Sequence, residues 1–140
     1  MENRILLNQA ACTHCNKIIQ SYGVHMYTNC TCGKIAVDGG YCYLKRTFEK
    51  QDDYIDLSIM DDGNHELRRQ AIHWAVNFTK DMQRLPETKW TPIEDLNYEH
   101  IEAILSTQHL NDFYKEVFET ELYYRDLCDE LHKDRLEGVI

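Results

Sequence analysis

Cys12-Thr13-His14-Cys15 and, further along, Cys30-Thr31-Cys32-Gly33 decide how this chain begins. The spacing C-x2-C-x14-C-x-C puts two cysteines on each of two tight turns. Two such turns can aim four thiolates at one ion and close a tetrahedron, the arrangement of a zinc ribbon or knuckle. Gly33 can take the positive φ that such a turn uses. Cys12, Cys15, Cys30 and Cys32 are therefore the candidate ligands of a Zn2+ ion. With four thiolates no position stays open for water, so the site is read as structural rather than catalytic. A disulfide framework is the first alternative. It is set aside because Met1 to Leu7 lack the apolar length of a secretory leader and the chain can bury a core without staples. Four reduced, buried cysteines and an iron–sulfur cluster are the others, though the spacing is not a ferredoxin pattern. Cys42 and Cys128 read as core residues, with Cys42 also a substitute ligand. His14 and His25 lie near enough in sequence to support the ligands or to replace one.

Working outward, Arg4–Leu7, Tyr22–Asn29, Lys34–Val37, Tyr41–Phe48 and Tyr54–Ile59 read as short strands, with a turn at Asp38-Gly39-Gly40. In the last strand Ile55, Leu57 and Ile59 alternate with polar residues, which predicts one buried face. Asp61-Asp62-Gly63-Asn64 breaks the pattern and supplies helix caps. Leu67, Ala71, Trp74, Phe78 and Met82 then recur at spacings of four, three, four and four. This predicts one amphipathic helix of about five turns, ended by Pro86. Residues 84–96 read as a polar connector anchored by Trp90, Ile93 and Leu96. Asn97 caps a short helix carrying Ile101, Ile104 and Leu105. A longer helix runs from near Asn111 toward Leu136. The predicted fold is α+β: a small β-rich zinc-ribbon-like module over residues 1–60, packed with three helices over residues 61–140 into one compact domain.

Composition narrows the function classes. The chain has 140 residues, 43% of them hydrophobic, with only 2 prolines and 6 glycines, so it can build a core and is not a disordered chain. No run of about 18 apolar residues exists, so no membrane span is expected. The net charge of −9 is uneven, about +3 over residues 1–50 and −12 over residues 51–140. A net-acidic chain does not attract nucleic acid in bulk. Lys17, Lys34, Lys45 and Arg46 with Tyr22, Tyr27, Tyr41 and Tyr43 form the one candidate nucleic-acid or partner surface on the module, since aromatics on strands can stack bases. The run Glu116, Glu119, Glu121, Asp126, Asp129, Glu130, Asp134 and Glu137 reads as a solvated helix face. Its sharper reading is an acidic partner surface that imitates nucleic-acid charge.

No catalytic residues are assigned. No phosphate loop, nucleophile elbow or dinucleotide fingerprint occurs. His65-Glu66 opens like a zincin helix but lacks the second histidine. His73 and Asn77, one turn apart on the expected helix, raise the thought of a small metal-dependent nuclease, although the Asp-His pair that chemistry wants is missing.

Two stretches carry a resemblance. One runs from Cys12-Thr13-His14-Cys15 through Cys30-Thr31-Cys32-Gly33 to Val37-Asp38-Gly39-Gly40 and Tyr43-Leu44-Lys45-Arg46. The other runs from Asp95-Leu96 through His100-Ile101-Glu102-Ala103-Ile104-Leu105 to Phe118, Glu121-Leu122 and Tyr124-Arg125. Together they resemble an uncharacterised family of small bacteriophage and prophage proteins with an N-terminal cysteine module and a helical C-terminal half. The resemblance implies a phage-encoded protein acting in the cytoplasm of a bacterial host. It carries no activity or catalytic residues to transfer. The preferred expectation is a non-enzymatic accessory protein that binds a host protein, such as a defence nuclease or other nucleic-acid enzyme, and inhibits it. A zinc-ribbon nucleic-acid-binding or transcription-related factor is the second expectation, and a metal-dependent nuclease the third.

Overall fold

The computed structural model describes residues 4–136. Along the chain run β1 (Ile5–Cys12), β2 (Ile18–Ser21), β3 (Thr28–Asn29), β4 (Ala36–Asp38), β5 (Lys45–Thr47), β6 (Tyr54–Asp56), β7 (Ile59–Met60), α1 (His65–Ala71), β8 (His73–Phe78), β9 (Arg84–Pro92), α2 (Tyr98–Thr107) and α3 (Asp112–Leu136). The architecture is α+β, with a β-rich N-terminal region holding the four cysteines and three helices after it.

β1 is the spine. β2 pairs antiparallel along one edge, while β6 and β7 share the other. Over its first half both faces are covered, and Ile5, Leu6, Leu7 and Asn8 are all buried in succession. The same strand enters two cores. Leu6 and Leu7 pack with Ile72, Ile93, Ile101, Ile104, Val117 and Phe118. Ala10 and Cys12 pack with Ile19, Cys30, Ile35 and Val37. A second small sheet, β3-β4-β5, lies beside the first.

Asn8 joins the two sheets. Its fully buried amide donates to the carbonyls of Asp38 and Gly40, both at 3.0 Å, and of Tyr43 at 3.2 Å, while its Oδ1 accepts from Arg46 at 2.8 Å. The turn it grips needs glycine: Gly39 has φ +104°, and a Cβ there would collide with the Tyr43 carbonyl. Asn8→Ala strips several buried groups of their partner at about 1 kcal/mol each. A loss on the order of 3 kcal/mol is expected in urea unfolding, with an unchanged m value.

The expected long helix over residues 65–82 is corrected. α1 stops at Ala71, and Ile72 turns to extended backbone (φ −77°, ψ 124°). From there Trp74, Val76 and Phe78 follow a period of two, which a run of aromatic and β-branched residues favours. The partner is β9, lying in what reads as a polar connector: Trp74 faces Thr91, Ala75 faces Trp90 and Val76 faces Lys89. Pro86 ends no helix. It falls where the register shifts between the Val76 and Phe78 pairings, in a two-stranded ribbon that asks no hydrogen bond of it. Within the module, the Tyr22–Asn29 strand shrinks to Thr28–Asn29 and the Tyr41–Phe48 strand to Lys45–Thr47. Tyr54–Ile59 splits into β6 and β7, and its expected inward residue Ile55 is 57% exposed. Ile55 pairs with Ala11, which pairs with Ile18, and this row lies on the outer face of the sheet.

α2 and α3 match the sequence reading. Asn97 accepts from the His100 N–H at 2.7 Å and Asn111 from the Tyr114 N–H at 2.9 Å, the cap geometry expected of asparagine. Glu121 departs from it. Far from being solvated, it is fully buried, held by Arg69 of α1, Arg125 and His65. Sequence spacing offers only the Glu121–Arg125 pair, one turn apart, and hides Arg69 and His65, which lie on α1.

Candidate metal centre

The last residue of β1 is Cys12, and the chain doubles back at once. The Asn16 N–H donates to the Cys12 carbonyl at 2.9 Å, and the Cys12 N–H to the Lys17 carbonyl at 2.9 Å. The second turn is built alike, with the Gly33 N–H donating to the Cys30 carbonyl and the Cys30 N–H to the Ile35 carbonyl, both at 3.1 Å. The two knuckles share a local sequence, Cys15-Asn16-Lys17-Ile18 and Cys32-Gly33-Lys34-Ile35. Each places a positive φ after its second cysteine, 61° at Asn16 and 75° at Gly33.

These turns bring the sulfurs of Cys12, Cys15, Cys30 and Cys32 within 4.8 Å of one another. Cys32 Sγ lies 3.6 Å from both Cys12 Sγ and Cys30 Sγ. Metal–sulfur bonds of about 2.3 Å in a tetrahedron give sulfur–sulfur edges of about 3.8 Å, whereas a disulfide needs about 2.05 Å. The donor set thus fits a metal ion, and all four side chains are free thiols.

Backbone amides support the thiolates. The His14 N–H points at Cys12 Sγ (3.4 Å) and the Ile35 N–H at Cys30 Sγ (3.5 Å). The N–H groups of Cys32 and Lys17 bring the Cys15 thiol down to about 6. Burial opposes ionisation of Cys30, but the Ile35 N–H and the neighbouring thiols outweigh it and leave its pKa lowered. At Cys32 the Lys34 N–H favours the thiolate, yet desolvation and the crowding of Cys30, Cys12 and Cys15 win and push it up to about 12. A cation among the sulfurs relieves that crowding.

His14 does not ligate. Its Nε2 lies 2.8 Å from Asp53 Oδ1, while Asp53 Oδ2 accepts the N–H groups of Glu49 and Lys50 at 3.1 and 2.8 Å. The His14 hydrogen bond first, then the Lys50 N–H, hold Asp53 down at about 2. Thr13 donates its hydroxyl to the carbonyls of Asp52 and Asp53, so the first knuckle is fastened to the Gln51–Asp53 turn. No local motif announces Asp53, which lies far along the chain. His25 sits in an exposed loop outside the sulfur cluster, and Cys42 and Cys128 are exposed rather than core residues.

The other sequence-derived residues separate. Lys17, Lys34, Lys45, Tyr27 and Tyr43 are exposed on the module. Arg46 is not available to a ligand. Its side chain is 8% exposed and spent on Asp56 (3.0 Å), Ser58 (2.7 Å) and Asn8. Glu116, Glu119, Asp126, Asp129 and Glu130 are exposed along α3, while the Asp134 side chain and Glu137 lie outside the described part of the chain. His73 and Asn77 lie on β8, not on a helix: His73 Nδ1 meets the Ala71 carbonyl at 2.8 Å, and Asn77 accepts from Thr88 at 2.6 Å. Among the described residues, no helix is long and apolar enough to cross a membrane.

No curated protein and no solved structure matches the chain. Residues 4–48, from the start of β1 to just past β5, are similar to a domain of unknown function (DUF7695), and the similarity takes in all four cysteines and both knuckles.

Proposed function

We propose that this chain is a non-enzymatic accessory protein, encoded by a phage and acting in the bacterial cytoplasm, that binds a basic host protein through the outer part of α3. The carrying observation is the surface of that helix beyond Glu121. Tyr123, Leu127 and Leu131, 69%, 43% and 49% exposed, recur every fourth residue and form one apolar stripe. Asp126, Asp129 and Glu130 flank it, all exposed. Arg125 does not offset them, because it is spent on Glu121 and on the carbonyls of Ile93 and Glu94. A helix of this kind suits an apolar groove rimmed with lysine and arginine. Nucleic-acid enzymes, including defence nucleases, carry such basic surfaces. A net charge of −9 opposes pairing with a second copy.

In this reading the metal is zinc and its role is structural: it holds the module that braces β1. Four thiolates at tetrahedral spacing suit zinc, and a closed set offers it no catalytic position. Lys17, Lys34 and Lys45 with Tyr27 and Tyr43 support a second reading, a nucleic-acid-binding zinc ribbon, which loses Arg46 to the interior.

The test is capture from nuclease-treated bacterial lysate with tagged wild type and a Leu127→Ser/Leu131→Ser variant, with metal analysis of the same samples. One host protein held by wild type, and at least tenfold less by the variant, is the expected result. Equal capture by both, or recovery of nucleic acid alone from untreated lysate, overturns the reading. Iron in place of zinc overturns the metal assignment only.

A further inference from the structure

We infer that the cleft between the free edge of β8 and the α2–α3 turn is a binding site for a neutral, planar heteroaromatic ring of the nucleobase class. The cleft is open to solvent on one side and has a volume of about 390 Å³, within the range of small-ligand pockets. Its walls are aromatic: Tyr41, Trp74, Trp90 and Tyr114. The register explains the hollow. Ala75 lies opposite Trp90 across the hairpin, so a small side chain leaves open space beside a large one.

The walls are fixed before any ligand arrives. Tyr22 stacks on Trp90 with centroids 4.4 Å apart and planes 14° apart. Trp74 is wedged edge-on against Phe118, at 4.9 Å and 90°. The Tyr41 hydroxyl donates to the His73 carbonyl at 3.2 Å, and burial pushes its phenol well above the ordinary range, so it stays neutral. A rigid aromatic slot favours a flat ring, because stacking takes little ordering of either side.

Polar groups at the rim supply the edge recognition. His73 Nδ1 donates to the Ala71 carbonyl, which leaves Nε2 for a further hydrogen bond. Asn111 uses Oδ1 to cap α3, which leaves its amide N–H groups. The Gln108 amide and the His109 ring also line the cleft, and neither side chain bonds to another described residue. Donors and acceptors of this kind match the hydrogen-bonding edge of a base. No carboxylate, lysine or arginine lines the cleft, so the geometry selects a neutral ring and makes no grip on a phosphate.

The chain has two tryptophans, and both line the cleft, so their fluorescence reads it directly. The full, metal-loaded chain is titrated with adenosine, guanosine, cytidine and uridine, and separately with short single-stranded oligonucleotides. Saturable quenching by at least one nucleoside is expected, little changed between low and high salt. Gln108→Ala, at an exposed position, and Ala75→Leu, which fills the hollow, keep both reporters. Each is expected to weaken binding at least fivefold. A response to oligonucleotides alone, lost in the same variants, assigns the base to a single strand rather than to a free nucleoside. No saturable response to either probe, or affinities unchanged in both variants, overturns the proposal. The outcome is independent of whether α3 binds a host protein.

Discussion

Glu121→Ala is expected to lower the unfolding free energy by about 3–5 kcal/mol, the range for breaking a buried ion pair. The carboxylate is fully buried. Arg69 grips it with two bonds (2.8 and 2.9 Å), Arg125 adds one at 2.6 Å, and His65 Nε2 lies 2.9 Å away. Alanine leaves two largely buried guanidinium groups without the carboxylate they share. A triple variant, Arg69→Met, Glu121→Leu and Arg125→Met, removes all the charges together and should be less destabilised than the single change. Denaturant unfolding of the two proteins decides this, and equal stability with wild type for Glu121→Ala would sink it. The pH dependence has a definite sign. Desolvation alone would raise the Glu121 carboxyl, but the hydrogen bonds from Arg69, Arg125 and His65 outweigh it and hold it at about 2, against an ordinary 4.5. Its contribution is complete above about 4.5 and is lost as pH falls toward about 2. Asp53, also held at about 2, acts in the same direction. Glu121→Gln, which has nothing to titrate at this position, should lose less stability than wild type across that window.

Removing the metal is expected to have the other large effect. Structural zinc contributes on the order of 10 kcal/mol in small finger peptides. Chelation should unfold β2 to β5 together with both knuckles, while α2 and α3 keep their helical signal, because their contacts with Leu6, Ile72 and Ile93 do not pass through the cysteines. The border of the loss should fall inside β1, between Leu7 and Ala10, where one strand passes from one core to the other. Amide hydrogen exchange with and without chelator locates that border. A cooperative loss of all helical circular dichroism would contradict the picture, and Cys30→Ser should reproduce the effect of chelation.

What the sequence discloses and what it hides divide along physical lines. Cysteine spacing and asparagine caps act over a few residues, so the sulfur cluster, α2 and α3 are legible in advance. Leu67, Ala71, Trp74 and Phe78 fit a helix period by their spacing, but Trp74, Val76 and Phe78 equally fit a strand. The choice is made by β9, a partner that looks polar because its middle residues Glu87, Thr88 and Lys89 are charged or polar and all exposed. Arg46 and Glu121 look like surface charges because, apart from Arg125 one turn after Glu121, their partners lie far along the chain or on other elements. Each is buried by groups on other elements: Asn8 and Ser58 for one, Arg69 and His65 for the other.

β1 also sets the order in which the chain can be assembled as it is made. One edge closes as soon as Ile18–Ser21 exists, but the other waits for Tyr54–Met60, and Leu6 waits for Phe118. Until residues 54–60 have emerged, then, an apolar strand hangs from the ribosome with one side unpaired, a template on which two nascent chains can join. The sulfur cluster is complete once Cys32 has emerged, long before that side is covered. An ion captured at this stage pins the Cys12 end of the strand in place. The yield of well-folded protein should therefore depend on metal supplied to the growing chain more than on metal offered to the finished one.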